Sequence, residues 1–271
     1  MTSAPSGRGP ETSGEVTVIV SIDGDVGTIT LRRPPHNLLT EPVLRELADA
    51  VQGLAGKVRA AVLRSEGRSF CAGADFRSGD APDPTEGGAF EAQTRAFYLQ
   101  GARIFESPVP LVAAIGGAAI GAGFGLALAC DIRVVGATGW FQANFVRLGI
   151  HPGFALSRVL PDVIGPARAA EIFLTGRRVG AEEALAIGLA QRSVPAGEEN
   201  AVALELASQI AAAAPLAVAS TRATLRAGLG GAVRAAMRHE LAEQTALAGT
   251  ADAVEGVSAV LAGRTPSFQG R

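Results

Sequence analysis

Disulfide chemistry has almost nothing to work with in this chain of 271 residues, which holds two cysteines, Cys71 and Cys130. Two such positions make neither a disulfide framework nor a CxxC metal pattern, so reduced thiols, no bound metal and a cytoplasmic location are the simplest expectation. Excess positive charge is missing too. With 24 Lys+Arg against 26 Asp+Glu, the formal charge is -2, and no basic face is left for nucleic acid. There is no fixed-period repeat and no heptad seam, which argues against a solenoid or a coiled coil. The first 14 residues, MTSAPSGRGPETSG, lack the apolar core of a signal peptide and read as a polar, disordered tail.

What is present suits a soluble globular enzyme with a large core: 48% hydrophobic residues and 18% charged. VTVIVSID and VGTITLRR flank Gly24-Asp25 and read as a β-hairpin. RRPPHN is an extended loop. Thr40 then N-caps a helix with Pro42 in its first turn and Val43, Leu47, Val51 and Leu54 along one stripe. RAAVLRSEG reads as a short buried strand, GRSFCAGADF as a small-residue loop, and Ser78 to Gly88 as a surface loop. Phe90 to Phe105 has helical spacing. Beyond Asp131, IRVVGA and LAQRSVP are short strands among helices, Glu198 to Leu261 is helical with breaks near Pro215 and Gly228 to Gly231, and RTPSFQGR is a tail. The division expected is a tail over 1–14, an α/β core over 15–197 and a helical region over 198–271 suited to packing on a partner subunit.

The stretch Ser107 to Asp131, SPVPLVAAIGGAAIGAGFGLALACD, is open to three interpretations. Its length suits a membrane span, but two prolines, five glycines and the lack of a flanking basic cluster speak against one. Gly121, Gly123 and Gly125 approximate a dinucleotide turn, yet as GxGxG, mid-chain and without an acid about 20 residues on. The third divides the stretch into a strand LVAAIGG, a tight turn AAIGAG and a buried helix from FGLALAC. That helix start could offer a backbone N–H to an oxygen that gains charge. Glycines that merely allow close helix–sheet packing are the plainer alternative. The loop GRSFCAGADF favours the oxygen-binding version, because two small-residue turns can supply one N–H each.

FCAGAD at 70–75 and GGAAIGAGFGLALACDIRVV at 116–135 together resemble the enoyl-CoA hydratase/isomerase (crotonase) superfamily. The similarity extends over most of the chain, from RRPPHN to LTGRRVGAEEALAIGLAQRSV and RTPSFQG. The resemblance implies an α/β crotonase-like spiral of ββα units with a C-terminal α-helical trimerisation region, as a homotrimer or a dimer of trimers. It implies an acyl-CoA thioester as ligand, coenzyme A entering only as part of the substrate. Ala74 and Ala122 are then the two oxyanion donors, and Arg32, His36, Asn37, Cys71, Ala72, Gly73, Gly121, Gly123, Gly125 and Phe145 the substrate and CoA positions.

The departures bear on chemistry. Where family hydratases carry two glutamates, this chain has Gly125 and Phe145, and where dienoyl-CoA isomerases carry an aspartate it has Arg147. Water addition needs an acid and a base, so the acid/base groups are expected to be non-standard. His151, beside Pro152-Gly153, leads as a proton-transfer group, against a plain loop or interface role. His36 suits a polar contact with CoA and His239 a structural place. Asp75 is expected to brace its loop, Cys71 to be a buried thiol rather than a nucleophile, and Asp80, Glu86 and Glu91 to be solvated. Tyr98 and Trp140 are expected to pack, while Phe124 and Phe145 make the site apolar. A catalytically silent acyl-CoA-binding protein and a dinucleotide oxidoreductase are the competing functions.

Overall fold

Six mostly β-branched or polar residues on each side of Gly24-Asp25 pair as strands β1 (Val18–Asp23) and β2 (Val26–Leu31), an antiparallel hairpin. The computed structural model describes residues 17–75 and 88–271; the expected tail and the positions Asp80 and Glu86 lie outside them. Helix α1 (Glu41–Gln52) starts as its sequence predicts: the Thr40 hydroxyl accepts from Val43 N–H, and Pro42 sits in the first turn. Strand β3 (Ala60–Ser65) then lies parallel to β2.

From here the chain repeats one manoeuvre. A strand in a large sheet is followed at once by a strand in a small sheet: β3 by β4 (Ser69–Cys71), then, after helix α2 (Gly88–Phe105), β5 (Leu111–Ile115) by β6 (Ala118–Ile120). After helix α3 (Ala122–Ala129) comes β7 (Ile132–Gly136), followed by β8 (Trp140–Gln142). The large sheet therefore runs β1-β2-β3-β5-β7, and the small one β4-β6-β8, each parallel beyond the hairpin. Gly117 marks the corner between β5 and β6, where a Cβ would stand 2.2 Å from the Arg68 carbonyl oxygen of the turn below. Only a residue without a side chain lets successive corners stack so closely.

This corner corrects two expectations. LVAAIGG is a strand only as far as Ile115, and AAIGAG is not simply a turn: the chain bends at Gly116-Gly117 and AAI forms a second strand. FCA, expected in a loop, is largely strand β4. Three-residue strands carry too little periodicity to be read locally; pairing with neighbouring coils makes them.

Helices α4 (Leu156–Ile164) and α5 (Pro166–Thr175) lead to β9 (Arg178–Gly180), antiparallel to β8, then α6 (Ala181–Ala186) and β10 (Arg192–Val194), which closes the large sheet beside β7. Both faces of that sheet are covered, which is why β3 reads as a continuous apolar run. Ala61 and Leu63 face the main core with Leu44 and Leu47 of α1. Ala60, Val62, Val112 and Val134 face Ala203, Ala207 and Ala211 of α7 (Glu199–Ala212). Helix α8 (Pro215–Leu225) buries no residue and is tied down by Arg222 and Arg226, 3.0 and 2.7 Å from the Asp131 carboxylate. Helix α9 (Leu229–Ala248) packs on α2 and α4, and α10 (Ala251–Ala262) on the short 3-10 turn Phe145–Leu148. Among the described residues no single helix is long and apolar enough to cross a membrane.

Candidate active site

Two turns, one from each small-residue motif, abut beneath α2. In the first, Leu39 N–H donates to Gly73 O at 2.8 Å and Asp75 N–H donates to Leu39 O at 2.9 Å. That pattern occupies the groups on either side of Ala74 and leaves Ala74's own N–H on the opposite edge. Arg33, 2.9 Å from the Asp75 carboxylate, braces the turn. Gly73 has φ +100°, and a Cβ on it would stand 3.0 Å from Ile120 O and 3.9 Å from Ala122 N. The first turn thus lies directly on the second.

In the second turn Gly121, at φ +53°, donates its N–H to Gln142 O at 2.9 Å, and α3 begins at Ala122. The first N–H groups of a helix have no partner within it. Among the described residues, neither Ala74 N–H nor Ala122 N–H meets a backbone acceptor. Both residues line one cleft, together with Ala72, Gly73, Gly121, Phe145, Leu148 and Ile150. From α2, Phe90, Phe97 and Tyr98 close it on the other side. Two free donors at the wall of a mostly apolar cleft can hold an oxygen that becomes negative, where little water competes for it.

The other expected positions divide. Phe145 faces the donor turn, its Cζ 3.7 Å from where a Gly121 Cβ would be. Arg32 and His36 are exposed on the neighbouring loop, Arg32 beside Glu66 at 3.6 Å and His36 Nδ1 3.4 Å from Ser69 Oγ. Asn37, expected at the ligand, is fully buried; its amide donates to Glu66 O and Ser69 O, both at 2.7 Å, so it shapes the loop instead. Gly123 and Gly125 are packing positions rather than ligand positions. Their Cβ atoms would stand 2.0 Å from Cys71 O and 2.5 Å from Phe154 Cδ1, which leaves no room there for a dinucleotide's phosphates. Cys71 is buried outside the cleft lining, and burial pushes its thiol up to about 12, so it stays a neutral thiol.

His151, the expected proton-transfer residue, is not among the residues that line the cleft. Its carbonyl accepts from Gln244 Nε2 at 2.8 Å, while Nδ1 lies 2.7 Å from Pro152 O and the ring 5.7 Å from that of His239. Phe124, expected at the site, packs at a tilt on Phe141 with ring centroids 5.2 Å apart in the core, and Trp140 sits under Arg178 at 4.0 Å.

Other residues of the cleft were not anticipated. Tyr98 donates to Gln244 Oε1 at 2.8 Å; burial, with Glu240 nearby, holds its phenol well above the usual range and therefore neutral. Glu41 is the one carboxylate lining the cleft among the described residues, and its oxygens accept from Arg45 at 2.7 Å and Gln100 at 3.1 Å. Thr94 and Gln93 line the α2 side. The 3.6-residue spacing of Phe90, Thr94, Phe97 and Tyr98 marked one face of α2, but nothing local told a ligand-facing stripe from a core-facing one. Among the described residues no group of three or more His, Cys, Asp or Glu could hold a metal ion.

The arrangement has counterparts. The family model described as enoyl-CoA hydratase/isomerase matches residues 21–271. The chain is 36% identical to a probable enoyl-CoA hydratase of Rhodobacter capsulatus, over 94% of this chain and 98% of that protein. It is 34% identical to the 2,3-dehydroadipyl-CoA hydratase of Escherichia coli, over 94% and 99%. Among solved structures, an enoyl-CoA hydratase/isomerase from Pseudoalteromonas atlantica superposes with a TM-score of 0.80 at 29% identity, covering 94% of this chain and 100% of that one. An enoyl-CoA hydratase from Mycobacterium avium gives 0.81 at 28%, covering 94% and 99%. On its fold and on its sequence, this chain belongs to the enoyl-CoA hydratase/isomerase family.

Proposed function

We propose that this protein is an acyl-CoA-processing enzyme that seats the thioester carbonyl oxygen between Ala74 N–H and Ala122 N–H and stabilises the enolate formed there. The observation that carries this is the pair of abutting turns whose N–H groups are free at the wall of an apolar cleft. Both donors belong to backbone already fixed by β4, β6 and α3, so they need no reorganisation as charge develops. Arg32 and His36, exposed on the adjoining loop, are placed to meet the coenzyme portion. The proton-transfer group is a non-standard one, since positions 125 and 145 carry no carboxylate and Glu41 is engaged by Arg45 and Gln100. Ordinary water addition by two carboxylates is accordingly not the reaction we assign.

The absence of those carboxylates favours a second interpretation, a protein that binds acyl-CoA without turning it over. Turnover on a panel of enoyl-CoA thioesters, run beside calorimetric titration of acyl-CoA, separates the two. For the enzyme, Ala122→Pro is the decisive variant. Proline is tolerated at the first position of a helix, where it removes the N–H and puts its ring Cδ where that proton pointed. Turnover should fall about 10²–10³-fold with the thermal midpoint nearly unchanged; undiminished turnover would sink the oxyanion assignment. Acyl-CoA binding with no turnover of any thioester by the parent would establish the binder.

We also propose a homotrimer, alone or paired, assembled through the C-terminal helices. Support comes from α8, which buries nothing and leaves Leu216 85% and Leu225 80% exposed.

A further inference from the structure

We infer that the acyl group this cleft takes carries a neutral hydroxyl, held by Thr94 and Gln93 on the α2 wall. The inference rests on the acyl-CoA function proposed above and specifies the substrate class of the same site. Five α2 residues line the cleft: Phe90, Gln93, Thr94, Phe97 and Tyr98. Two polar side chains thus stand among three aromatic ones. Thr94 is 5% exposed and, among the described residues, neither its Oγ1 nor the buried Oε1 of Gln93 has a hydrogen-bond partner.

A threonine hydroxyl inside a helix ordinarily donates to the carbonyl four residues back. Thr224 and Thr245 do so here, to Ser220 O at 3.1 Å and Leu241 O at 2.8 Å. Thr94 does not. Nearly every buried polar atom in a folded protein finds a partner. Two such atoms left without one, on consecutive residues that line a ligand cleft, mark a place where the ligand supplies it.

The chemistry of the pair selects the group. Gln93 Oε1 only accepts, whereas Thr94 Oγ1 can donate. A hydroxyl donates to the first and accepts from the second, and it does equally well if the amide turns to offer Nε2. An alkyl tail satisfies neither atom. A carboxylate could accept from Thr94 and from a turned Gln93 amide, but it would enter a lining whose single formal charge among the described residues is the negative Glu41. No lysine or arginine lines the cleft to pair with it. A neutral hydroxyl is the group that fits.

Saturated ligands test this without depending on turnover. Hexanoyl-CoA and its 4-hydroxy, 5-hydroxy and 6-hydroxy derivatives would be titrated into the full-length protein by calorimetry. One hydroxylated ligand should bind about tenfold more tightly than hexanoyl-CoA, the effect of one satisfied hydrogen-bond set. Thr94→Val should reduce that preference to about twofold or less, and Thr94→Ser should keep it. The thermal midpoint of unliganded Thr94→Val should be no lower than the parent's, since the hydroxyl removed has no partner. If hexanoyl-CoA binds as tightly as all three hydroxylated ligands, or if the preference survives Thr94→Val, the hydroxyl assignment is wrong and the acyl-CoA function stands. If none of the four binds, the acyl-CoA function itself fails.

Discussion

At Gly123 a methyl group would stand 2.0 Å from the Cys71 carbonyl oxygen, and at Gly125 2.5 Å from the Phe154 ring. Neighbouring glycines of one motif thus serve different ends: Gly121 takes the positive φ of the turn, while Gly123 and Gly125 admit β4 and Phe154 against α3. The spacing alone could not separate these roles, because glycine looks the same in sequence whether it meets a ligand, a carbonyl or a ring. One consequence is specific to position 125. Restoring a hydratase-like carboxylate by Gly125→Glu should destabilise the fold by about 1–3 kcal/mol or more, since overpacking forces Phe154 from its place. Phe145→Glu, at a position that faces the cleft, should be tolerated better. Urea unfolding of the two variants measures the difference, and a Gly125→Glu protein as stable as the parent would contradict the packing described. Thr40 shows the opposite case, a residue legible from sequence because its cap and the helix it starts are adjacent in the chain.

Among the elements, the segment joining the 3-10 turn to α4 depends most on distant partners. Phe154 and Ala155 both adopt positive φ, +60° and +59°, where non-glycine residues are strained. Glu240 of α9 holds them there by accepting from Ala155 N–H at 2.7 Å, Ser157 N–H at 3.0 Å and Ser157 Oγ at 2.6 Å, and its burial raises its own pKa. Helix α10 and the C-terminal tail form a simpler pairing. Glu255 accepts from Arg264 and from Ser267 N–H, which lowers its pKa from 4.5 to about 2. A carboxyl whose folded pKa lies below its unfolded one leaves the unfolded form binding more protons between the two values. Its stabilisation is therefore complete above about pH 4.5 and is lost as the pH falls through about 2. Hydrogen exchange at the Ser267 amide should lose protection over that window; protection independent of pH would show that Glu255 does not anchor the tail.

For the whole molecule, the unpaired face is that of α8. An exposed Leu216 and Leu225 on a helix tied to Asp131 through Arg222 and Arg226 suit burial against another copy of the chain. The proposed trimer predicts a light-scattering mass about three or six times that of one chain, and Leu216→Asp should shift it toward the monomer. A monomeric parent would dispose of the assembly.

The amino-acid sequence by itself determined the features that depend on near neighbours: the first hairpin, the capped α1, the helices broken at Pro215 and Gly228, and the two small-residue motifs that carry the family resemblance. Ala74 and Ala122 were identified through that resemblance, while Glu41, Gln93, Thr94 and Tyr98 were not, because which face of α1 or α2 meets a cleft is decided by what packs on the other faces. Only the tertiary structure decided that SFC and AAI are strands, since each is stabilised by pairing with the coil above or below it and not by its own propensity. It also placed the Ala74 turn, through Gly73, against the Ala122 turn some fifty residues along the chain. Two N–H groups so distant in sequence become one oxygen-binding site only when the stacked coils bring them together.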